Sequence, residues 1–383
     1  MFTRVSVTFF LLFLFLNTYS QEYDLSGFEL SLDQDHFADL LNEDPLTDRN
    51  YTISMRLGFY GALANHTYLG LPWVRQKIDQ YTIDNLLYEL GFREERESHN
   101  FVFTVNGFSP IHISHLTEDF TEAQANGYDF ANDRPFSSFT GFRSTRRLEG
   151  NKLFVHSAKR LDLAINSSFT FGFSSLGLAK DIENLLGASR PDGVLWEQQD
   201  TLAYPTGQAL PGGLPFVMYS LSVEAVVWRP LKQVILQVRP EINIGSQTNI
   251  GLGIDLGKVL NVEQNIDNLA YTDPSNPGVL IVANEHLAFA VSGGIAARFH
   301  IYNAHLSALF SSERDEYDSL MNTRLVTFEA YAGAKLQMFK KVEFNFSINK
   351  RGPEINSAYR FTPLWGTFGV KILLAEEGEG CYD

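Results

Sequence analysis

Long runs of alternating apolar and polar residues are the feature that most constrains what this chain can form. In the run 159–173, Leu163, Ile165 and Phe171 alternate with polar residues such as Asn166 and Thr170. A period of two is typical of a β-strand whose faces meet different environments. Seven such runs have about ten residues or more, namely 50–63, 159–173, 233–245, 286–302, 324–339, 342–351 and 362–374. Strands of globular proteins average about five or six residues, so these runs are unusually long.

The polar faces of these runs carry charges of both signs. Examples are Arg56, Arg239, Glu241, Arg298 and Glu329. In a soluble sandwich such faces would be the wet exterior, whereas in a membrane barrel they would line the lumen and the apolar faces would meet lipid. A membrane-spanning strand needs about 9–11 residues, which favours the barrel. We therefore predict an all-β fold, an antiparallel transmembrane β-barrel of about twelve strands with short helices in its loops.

The predicted strands are twelve in number, and an even number brings both ends of a barrel chain to one side, the periplasmic side in bacteria. They span roughly 23–33, 51–63, 100–108, 135–148, 152–173, 215–229, 233–245, 249–258, 286–302, 324–339, 342–351 and 361–374. Helical spacing over 73–90 predicts a helix on the periplasmic side, and 116–125 and 178–186 predict short helices on the outer side. Pro240 interrupts one run, where it removes a ladder donor.

The N-terminus has the layout of a secretory signal peptide over residues 1–20. Arg4 supplies a positive charge, an apolar segment follows over 5–16, and a short polar stretch ends before Gln21. The apolar segment is too short for a spanning helix. A buried N-terminal strand is the alternative interpretation. We predict export, a barrel over 21–375 in the bacterial outer membrane, and an acidic C-terminal tail over 376–383.

Composition limits the partners of the chain. The sequence has 30 Lys and Arg against 45 Asp and Glu, for a net charge of −15, and it contains no basic block longer than two residues. Such a chain is a poor nucleic-acid binder. The single cysteine, Cys381, excludes an internal disulfide framework and a cysteine-rich metal site. We expect a monomer whose partners are membrane lipids.

Residues able to do chemistry gather at the predicted outer ends of the first four strands. The segments are 33–37, 48–52, 108–110 and 133–136. Asp33 and Asp35 alternate onto one face, where two carboxylates suit a hard cation such as Ca²⁺, although a solvated rim is the plainer interpretation. Arg134 can bind a phosphate or carboxylate through two hydrogen bonds, or it can pair with Asp133 or Asp129. The chain contains no Gly-x-Ser-x-Gly, His-Glu-x-x-His or P-loop pattern.

Taken in order, these four motifs resemble those of the LpxR family of outer-membrane lipid A deacylases. That family has an Asn-Asp pair after the first strand, Asp-Arg-x-Tyr-Thr opening the second, a Tyr-Thr-Pro-like step and Asp-Arg-Pro-Tyr/Phe. The corresponding residues here are Gln34-Asp35-His36-Phe37, Asp48-Arg49-Asn50-Tyr51-Thr52, Phe108-Ser109-Pro110 and Asp133-Arg134-Pro135-Phe136. The segment 297–306 is also similar to the family's Arg-x-Val-x-x-Asn-x-x-Leu stretch, and the resemblance covers roughly 28–374.

The resemblance implies a twelve-stranded barrel that removes the 3′ acyloxyacyl group of lipid A at the outer leaflet. In the family a histidine activates water, and Ca²⁺ stabilises the oxyanion of the ester hydrolysis. Carried over, Gln34 and Asp35 would hold the site at the first strand, Thr52 would line it, and Arg134 would lie near a phosphate or sugar. Lipid A, as part of lipopolysaccharide, is then the expected partner, and Asp33 and Asp35 are the predicted metal ligands.

The chain departs from the family at the general base. The family's pattern Gln-Asn-x-x-His-x-x-x-Gly corresponds to 179–187, where the histidine position is Glu183. A glutamate acts as a general base if its pKa is raised. The alternatives are that His36, His112 or His115 serves as the base, or that the barrel is catalytically inactive with a structural or lipid-binding role. Gln34 in place of asparagine is a second departure. A secreted β-sandwich that binds carbohydrate is the hypothesis from a different fold.

Overall fold

The protein forms a closed antiparallel β-barrel of twelve strands, which confirms the predicted fold class. The computed structural model describes residues 25–34, 53–65, 70–90, 92–108, 137–153, 160–173, 215–231, 234–260, 287–303, 324–339, 341–353 and 364–373. The strands are β1 (Leu25–Gln34), β2 (Ile53–Gly61), β3 (Phe92–Phe108), β4 (Ser137–Leu153), β5 (Arg160–Phe173), β6 (Pro215–Leu231), β7 (Val234–Gly245), β8 (Gln247–Leu260), β9 (Leu287–Asn303), β10 (Val326–Met338), β11 (Val342–Arg351) and β12 (Leu364–Leu373). A 3₁₀ turn (Ala62–Asn65) and the helix α1 (Leu71–Leu90) lie between β2 and β3.

The barrel closes because the first and last strands pair with each other. The β1–β12 ladder runs from Gly27 opposite Leu373 to Gln34 opposite Gly366. All the other pairs join strands that are neighbours in sequence. Closure leaves no open sheet edge, and a strand structure within a lipid bilayer requires this because lipid satisfies no backbone hydrogen bonds.

The two faces of the barrel wall differ sharply. On β8 the side chains of Leu252, Ile254 and Leu256 point outward and are 42–52% exposed, whereas Asp255, between Ile254 and Leu256, is 3% exposed. The same alternation gives an apolar exterior and a polar lumen around the barrel, which is the pattern of a membrane-spanning barrel. Among the described residues, no helix is both long enough and apolar enough to cross a membrane.

We call the end at which β1 begins the inner end and the opposite end the outer end. Connections at the outer end span 35–52, 109–136, 174–214, 246, 304–325 and 352–363. Inner connections include the short segments 232–233 and 339–341, with 62–91 and 261–286 as the long exceptions. Bacterial outer-membrane barrels have short periplasmic turns and longer extracellular loops, so we expect the inner end to face the periplasm.

Two strand boundaries differ from the sequence prediction for local reasons. β3 begins at Phe92, whereas the predicted strand begins at 100. The prediction begins too late because residues 93–99 are all polar and show no apolar alternation. β4 continues to Leu153, and the described part of β5 begins at Arg160. Pro240 lies within β7, and its ladder with β8 is continuous, with Pro240 opposite Leu252. On the other side the β6–β7 pairing passes from Glu241 to Val238, as expected where proline has no N–H to donate.

Helix α1 confirms the predicted helix and lies against the exterior of the barrel wall. Its partners on β4–β6, such as Ser144, Ser167 and Tyr219, have the same alternation as the exposed wall residues Phe142 and Val217. The lumen side of these strands carries the opposite set, Arg143, Thr145, Asn166, Ser168 and Ser220, which line an interior cavity. At the inner end of the contact Ile83 packs on Leu148 and Ile165 in an apolar cluster.

A buried ion pair fixes α1 to the wall. The Arg75 and Asp79 side chains are both fully buried, with 2.9 Å between Nη1 and Oδ2. Arg75 also donates to Ser144 Oγ at 3.2 Å, and Asp79 accepts from Ser167 Oγ and Tyr219 Oη at 2.8 Å each. Burial lowers the pKa of the Arg75 guanidinium, and the Asp79 carboxylate opposes that shift. Every charge in this contact therefore has a partner, as burial demands.

Arg75→Ala is expected to destabilise the barrel strongly, because Asp79 would remain buried without its counter-charge. Removing one partner of a buried ion pair typically costs about 3–5 kcal/mol. The measurement is the free energy of unfolding in urea of the membrane-inserted protein. Asn85→Ala, at an exposed position of the same helix, is the matched control, with an expected change below about 0.5 kcal/mol. Equal losses for the two variants would contradict this role of the pair.

Candidate functional site in the barrel lumen

Paired charges fill the inner part of the lumen. Arg147, whose side chain is 2% exposed, donates to Glu149 at 2.7 Å and to Asn166 at 3.0 Å. It also binds both carboxylate oxygens of Glu224 at 3.1 Å. Burial of Arg147 is tolerated because two carboxylates and an amide satisfy its donors, and the fork of the guanidinium matches a carboxylate.

A second chain of alternating charges follows the lumen side of the wall from β7 to β11. Arg239 lies between Asp255, at 3.1 Å, and Glu241, at 2.7 Å. Arg298 then bridges Glu241 and Glu329, and Arg351 contacts Glu329. These are the charges whose alternation predicted a polar face, and each lies beside a charge of opposite sign. The arrangement links five consecutive strands through side chains on the lumen face.

A third cluster lies at the inner end, where β1, β2 and β12 meet. The Lys371 ammonium lies 3.8 Å from the centroid of the Tyr60 ring, and the Tyr60 hydroxyl donates to Glu29. On β11, next to β12, Glu343 lies opposite Lys371, and Lys335 of β10 approaches this Glu343 at 3.6 Å. Through the part of the lumen that the structure describes, these clusters replace an open channel with a packed polar interior.

A cavity of about 410 Å³ lies above these charges, toward the outer end. Its lining includes Asp33 and Ser54, at the outer ends of β1 and β2, and Trp365 near the start of β12. Arg239 and Glu241 of the charge chain form part of its floor. The cavity is therefore a polar well bounded toward the inner end by paired charges.

One wall of this cavity is apolar. The rings of Phe139 and Phe216 lie 4.7 Å apart between centroids, and Met218 packs with them. Glycine is required beneath Phe139, because a Cβ atom at Gly141 or Gly172 would come within 2.5 Å of its ring. A rule that places apolar residues outside and polar residues in the lumen would put Phe139 and Phe216 on the exterior. Both rings instead lie on the lumen face.

Polar side chains of β3 and β4 also line the cavity. Asn100 and Thr145 are 3% and 2% exposed and line the cavity. Within the described ranges, Asn100 Oδ1 and Thr145 Oγ1 are buried side-chain atoms without a hydrogen-bond partner. A cavity lined both by an apolar aromatic cluster and by hydrogen-bonding groups suits an amphipathic or polar ligand.

Asp33 is the one predicted site side chain that the structure describes. It faces the lumen, and its Oδ1 accepts a hydrogen bond from Arg56 Nη2 at 2.7 Å. Gln34 is the last residue of β1, with its backbone opposite Gly366. The other predicted site residues, Asp35, Thr52, Arg134 and Glu183, lie outside the described residues, as do the alternative bases His36, His112 and His115.

The strand ends that border the predicted motifs lie side by side. Asp33 is opposite Ser54, Ile53 is opposite Gly107, and Phe108 is opposite Ser137. The segments that carry the motifs therefore all leave the barrel at its outer end, on four consecutive strands. Among the residues that the structure describes, no three His, Cys, Asp or Glu side chains are grouped closely enough to hold a metal ion. The metal ligands Asp33 and Asp35 stay a prediction.

Sequence reasoning missed two groups that the fold brings together. Arg147 was not singled out, although the pair Arg146-Arg147 within a strand was a visible signal, because two adjacent arginines point to opposite faces. Arg146 indeed lies on the exterior, where it contacts Asp84 and Glu97 at 2.7 Å each. The partner of Asp33 was also missed, because pairing with Arg56 depends on the β1–β2 register.

Comparison with known proteins supports the fold. No family model matches the chain, and no curated protein matches it. Among solved structures, LpxR from Salmonella typhimurium is similar, with a TM-score of 0.56 and 14% identity over 91% of this chain and 99% of that chain. An outer membrane channel from Pseudomonas putida F1 gives a TM-score of 0.39 and 8% identity over 91% of this chain and 96% of that chain. The chain therefore has the fold of LpxR, a closed barrel of the outer-membrane type.

Arg147→Ala is expected to lower the free energy of unfolding by about 3–5 kcal/mol, because Glu149 and Glu224 would stay buried without their cation. The control, Lys350→Ala, removes a cation at the exposed margin of the cavity. It is expected to change the free energy of unfolding by less than about 0.5 kcal/mol. Urea titration of both variants in the same lipid or detergent checks the difference. A loss at Arg147 no larger than that at Lys350 would show that the lumen charges are hydrated rather than buried.

Proposed function

We propose that this protein is an outer-membrane barrel of the LpxR type that hydrolyses an ester-linked acyl group of lipid A at the outer leaflet. The observation that carries the proposal is a combination. Four motifs resembling those of the family occur in the family's order, and they border adjacent strand ends of a barrel that is similar to LpxR along 99% of its length. Fold likeness at 14% identity would not suffice without the motifs.

The outer end of the barrel is a suitable place for this chemistry. An apolar wall lies against acyl chains, while residues at the rim meet the polar headgroups of the same leaflet. A glycolipid ester is located at this boundary, so catalytic groups at the rim reach it without extracting the lipid. Arg134, three residues before the start of β4 at Ser137, has the chemistry to bind a lipid A phosphate through two hydrogen bonds.

Asp35 is the stronger candidate for holding Ca²⁺, and Asp33 the weaker one. Carboxylate oxygens are the ligands that this hard cation prefers. Asp33 lies 2.7 Å from the Arg56 guanidinium, which neutralises its charge and lowers its attraction for a cation. We therefore assign Asp33 a positioning role through Arg56, with Asp35, Gln34 and Thr52 nearer the ester. A bound Ca²⁺ would stabilise the negative charge that develops on the ester oxygen.

The general base is Glu183 in this proposal. A carboxylate that is shielded from water has the raised pKa that general-base catalysis near neutral pH needs. His36, His112 and His115 are the competing candidates. The second candidate function, a catalytically inactive barrel with a structural or lipid-binding role, is favoured by the glutamate at the family's histidine position.

Expression of the protein in a Gram-negative host without lipid A deacylase activity is expected to remove an acyloxyacyl unit from lipid A, as measured by mass spectrometry. Asp35→Ala and Glu183→Gln are expected to reduce conversion by at least about 10²-fold, the usual effect of losing one general base or charge-stabilising group. Glu343→Gln, which alters a carboxylate at the opposite end of the barrel, is the matched control and keeps full conversion.

Conversion lost in Asp35→Ala but retained in Glu183→Gln would transfer the base role to one of the three histidines. An unchanged lipid A spectrum from the unmodified protein, with the folded barrel present in the outer membrane, would reject hydrolysis. The second candidate function, an inactive barrel with a structural or lipid-binding role, would then remain. Glu183→His tests it, because this substitution restores the histidine that is the family's base.

A further inference from the structure

The face of α1 that points away from the barrel carries an aromatic and basic stripe. Trp73 is 52% exposed and Tyr81 is 81% exposed, and Lys77 lies between them. A spacing of four residues places the three side chains on one side of a helix. Within the described part of the chain, the Lys77 ammonium donates its one hydrogen bond to Gln80 Oε1, at 3.2 Å. No described element of the barrel covers this stripe, which we call the outward stripe.

The exterior of the barrel wall is mostly apolar, but the part that α1 covers is polar. Ser144 and Ser167, together with Arg146 and Glu97, occupy outward positions where the neighbouring strands carry apolar side chains. Hydrocarbon satisfies no polar group, so these residues require a cover if the wall lies in a membrane. Helix α1 supplies that cover through Arg75, Asp79 and Asp84. The helix is therefore part of the lipid-facing surface rather than a projection from it.

Other exposed aromatic residues lie at the inner end of the barrel. Trp228, three positions before the end of β6, is 58% exposed, and Phe339, in the β10–β11 turn, is 63% exposed. Membrane barrels carry girdles of aromatic residues at both interfaces. Tryptophan and tyrosine prefer the headgroup level, and a lysine stem lies along apolar surface while its ammonium reaches phosphate. The hydrocarbon centre would not accept Lys77 and Gln80.

We propose that α1 is an interfacial helix, with the outward stripe of Trp73, Lys77 and Tyr81 bound to the phospholipid headgroup region of the inner leaflet. The Arg75–Asp79 pair holds the helix against the wall, and the stripe extends the aromatic girdle over β3–β6. The partner is a phospholipid surface, recognised by aromatic rings at the interface and by one basic side chain. This role does not depend on lipid A hydrolysis.

Tryptophan fluorescence in vesicles tests the proposal. Three variants each keep one tryptophan and carry phenylalanine at the others, with Trp73, Trp228 or Trp365 retained. They are inserted into phosphatidylcholine vesicles whose acyl chains are brominated near the headgroup. Trp228 on the exterior is the positive control, and Trp365, which lines the lumen cavity, is the negative one. Trp73 is expected to be quenched to an extent close to that of Trp228 and well above Trp365.

Quenching of Trp73 by aqueous acrylamide alone, at the level of a free tryptophan analogue and with no effect of brominated lipid, would overturn the proposal. A second readout covers the possibility that the multiple substitutions prevent folding. A spin label at Lys77→Cys, in a Cys381→Ser background, is expected to be more accessible to oxygen than a label on a water-exposed site. Equal accessibility to a water-soluble nickel chelate at both sites would also overturn it. Asp79→Ala is expected to shift Trp73 toward acrylamide quenching.

Discussion

Every charge that the strand alternation directs away from lipid has to be buried beside a charge of opposite sign. Closure of β1 on β12 leaves the lumen as the place for these side chains, and a charge that is buried there requires a partner of opposite sign. Arg147 beside Glu224 and Arg298 beside Glu241 and Glu329 are the result. The same constraint operates on the exterior, where Arg75 and Asp79 are fully buried between α1 and the wall. Charge pairing thus determines both the filled interior and the position of the helix.

The barrel architecture could be predicted from the sequence because the alternation of apolar and polar residues is a local property of each strand. Strand number and the polar lumen followed from it, and helical spacing over 73–90 predicted the helix that the structure places at Leu71–Leu90. Three features depended on contacts between distant residues and had no local signal. The β1–β2 register pairs Asp33 with Arg56, the all-polar start of β3 lacks an apolar face, and helical spacing does not say which surface α1 covers. Arg75 and Asp79 have the i, i+4 spacing of an ordinary surface pair on a helix, and only the contact of α1 with the wall buries them.

The candidate site consists of a lumen cavity that the structure describes and rim residues that are predicted from the sequence motifs. Within the described residues, the lumen cavity combines the Phe139–Phe216 wall with hydrogen-bonding groups on β3 and β4. Asp35, Thr52, Arg134 and Glu183 lie outside those residues, so their roles rest on motif order and on the adjacency of the strand ends that border them. Rim position, rather than passage through the lumen, is what the proposed ester hydrolysis requires. The paired charges below the cavity are consistent with a barrel that acts at its surface.

The most direct measurement is the mass of purified lipid A after incubation with the purified, detergent-solubilised protein, with Ca²⁺ or with a chelator. The account predicts loss of a mass equal to one acyloxyacyl unit in Ca²⁺ and release of the matching fatty acid, with both abolished by the chelator. An unchanged lipid A mass in Ca²⁺, from protein that migrates as a folded barrel, would contradict the proposed hydrolysis while leaving the fold and the interfacial helix intact.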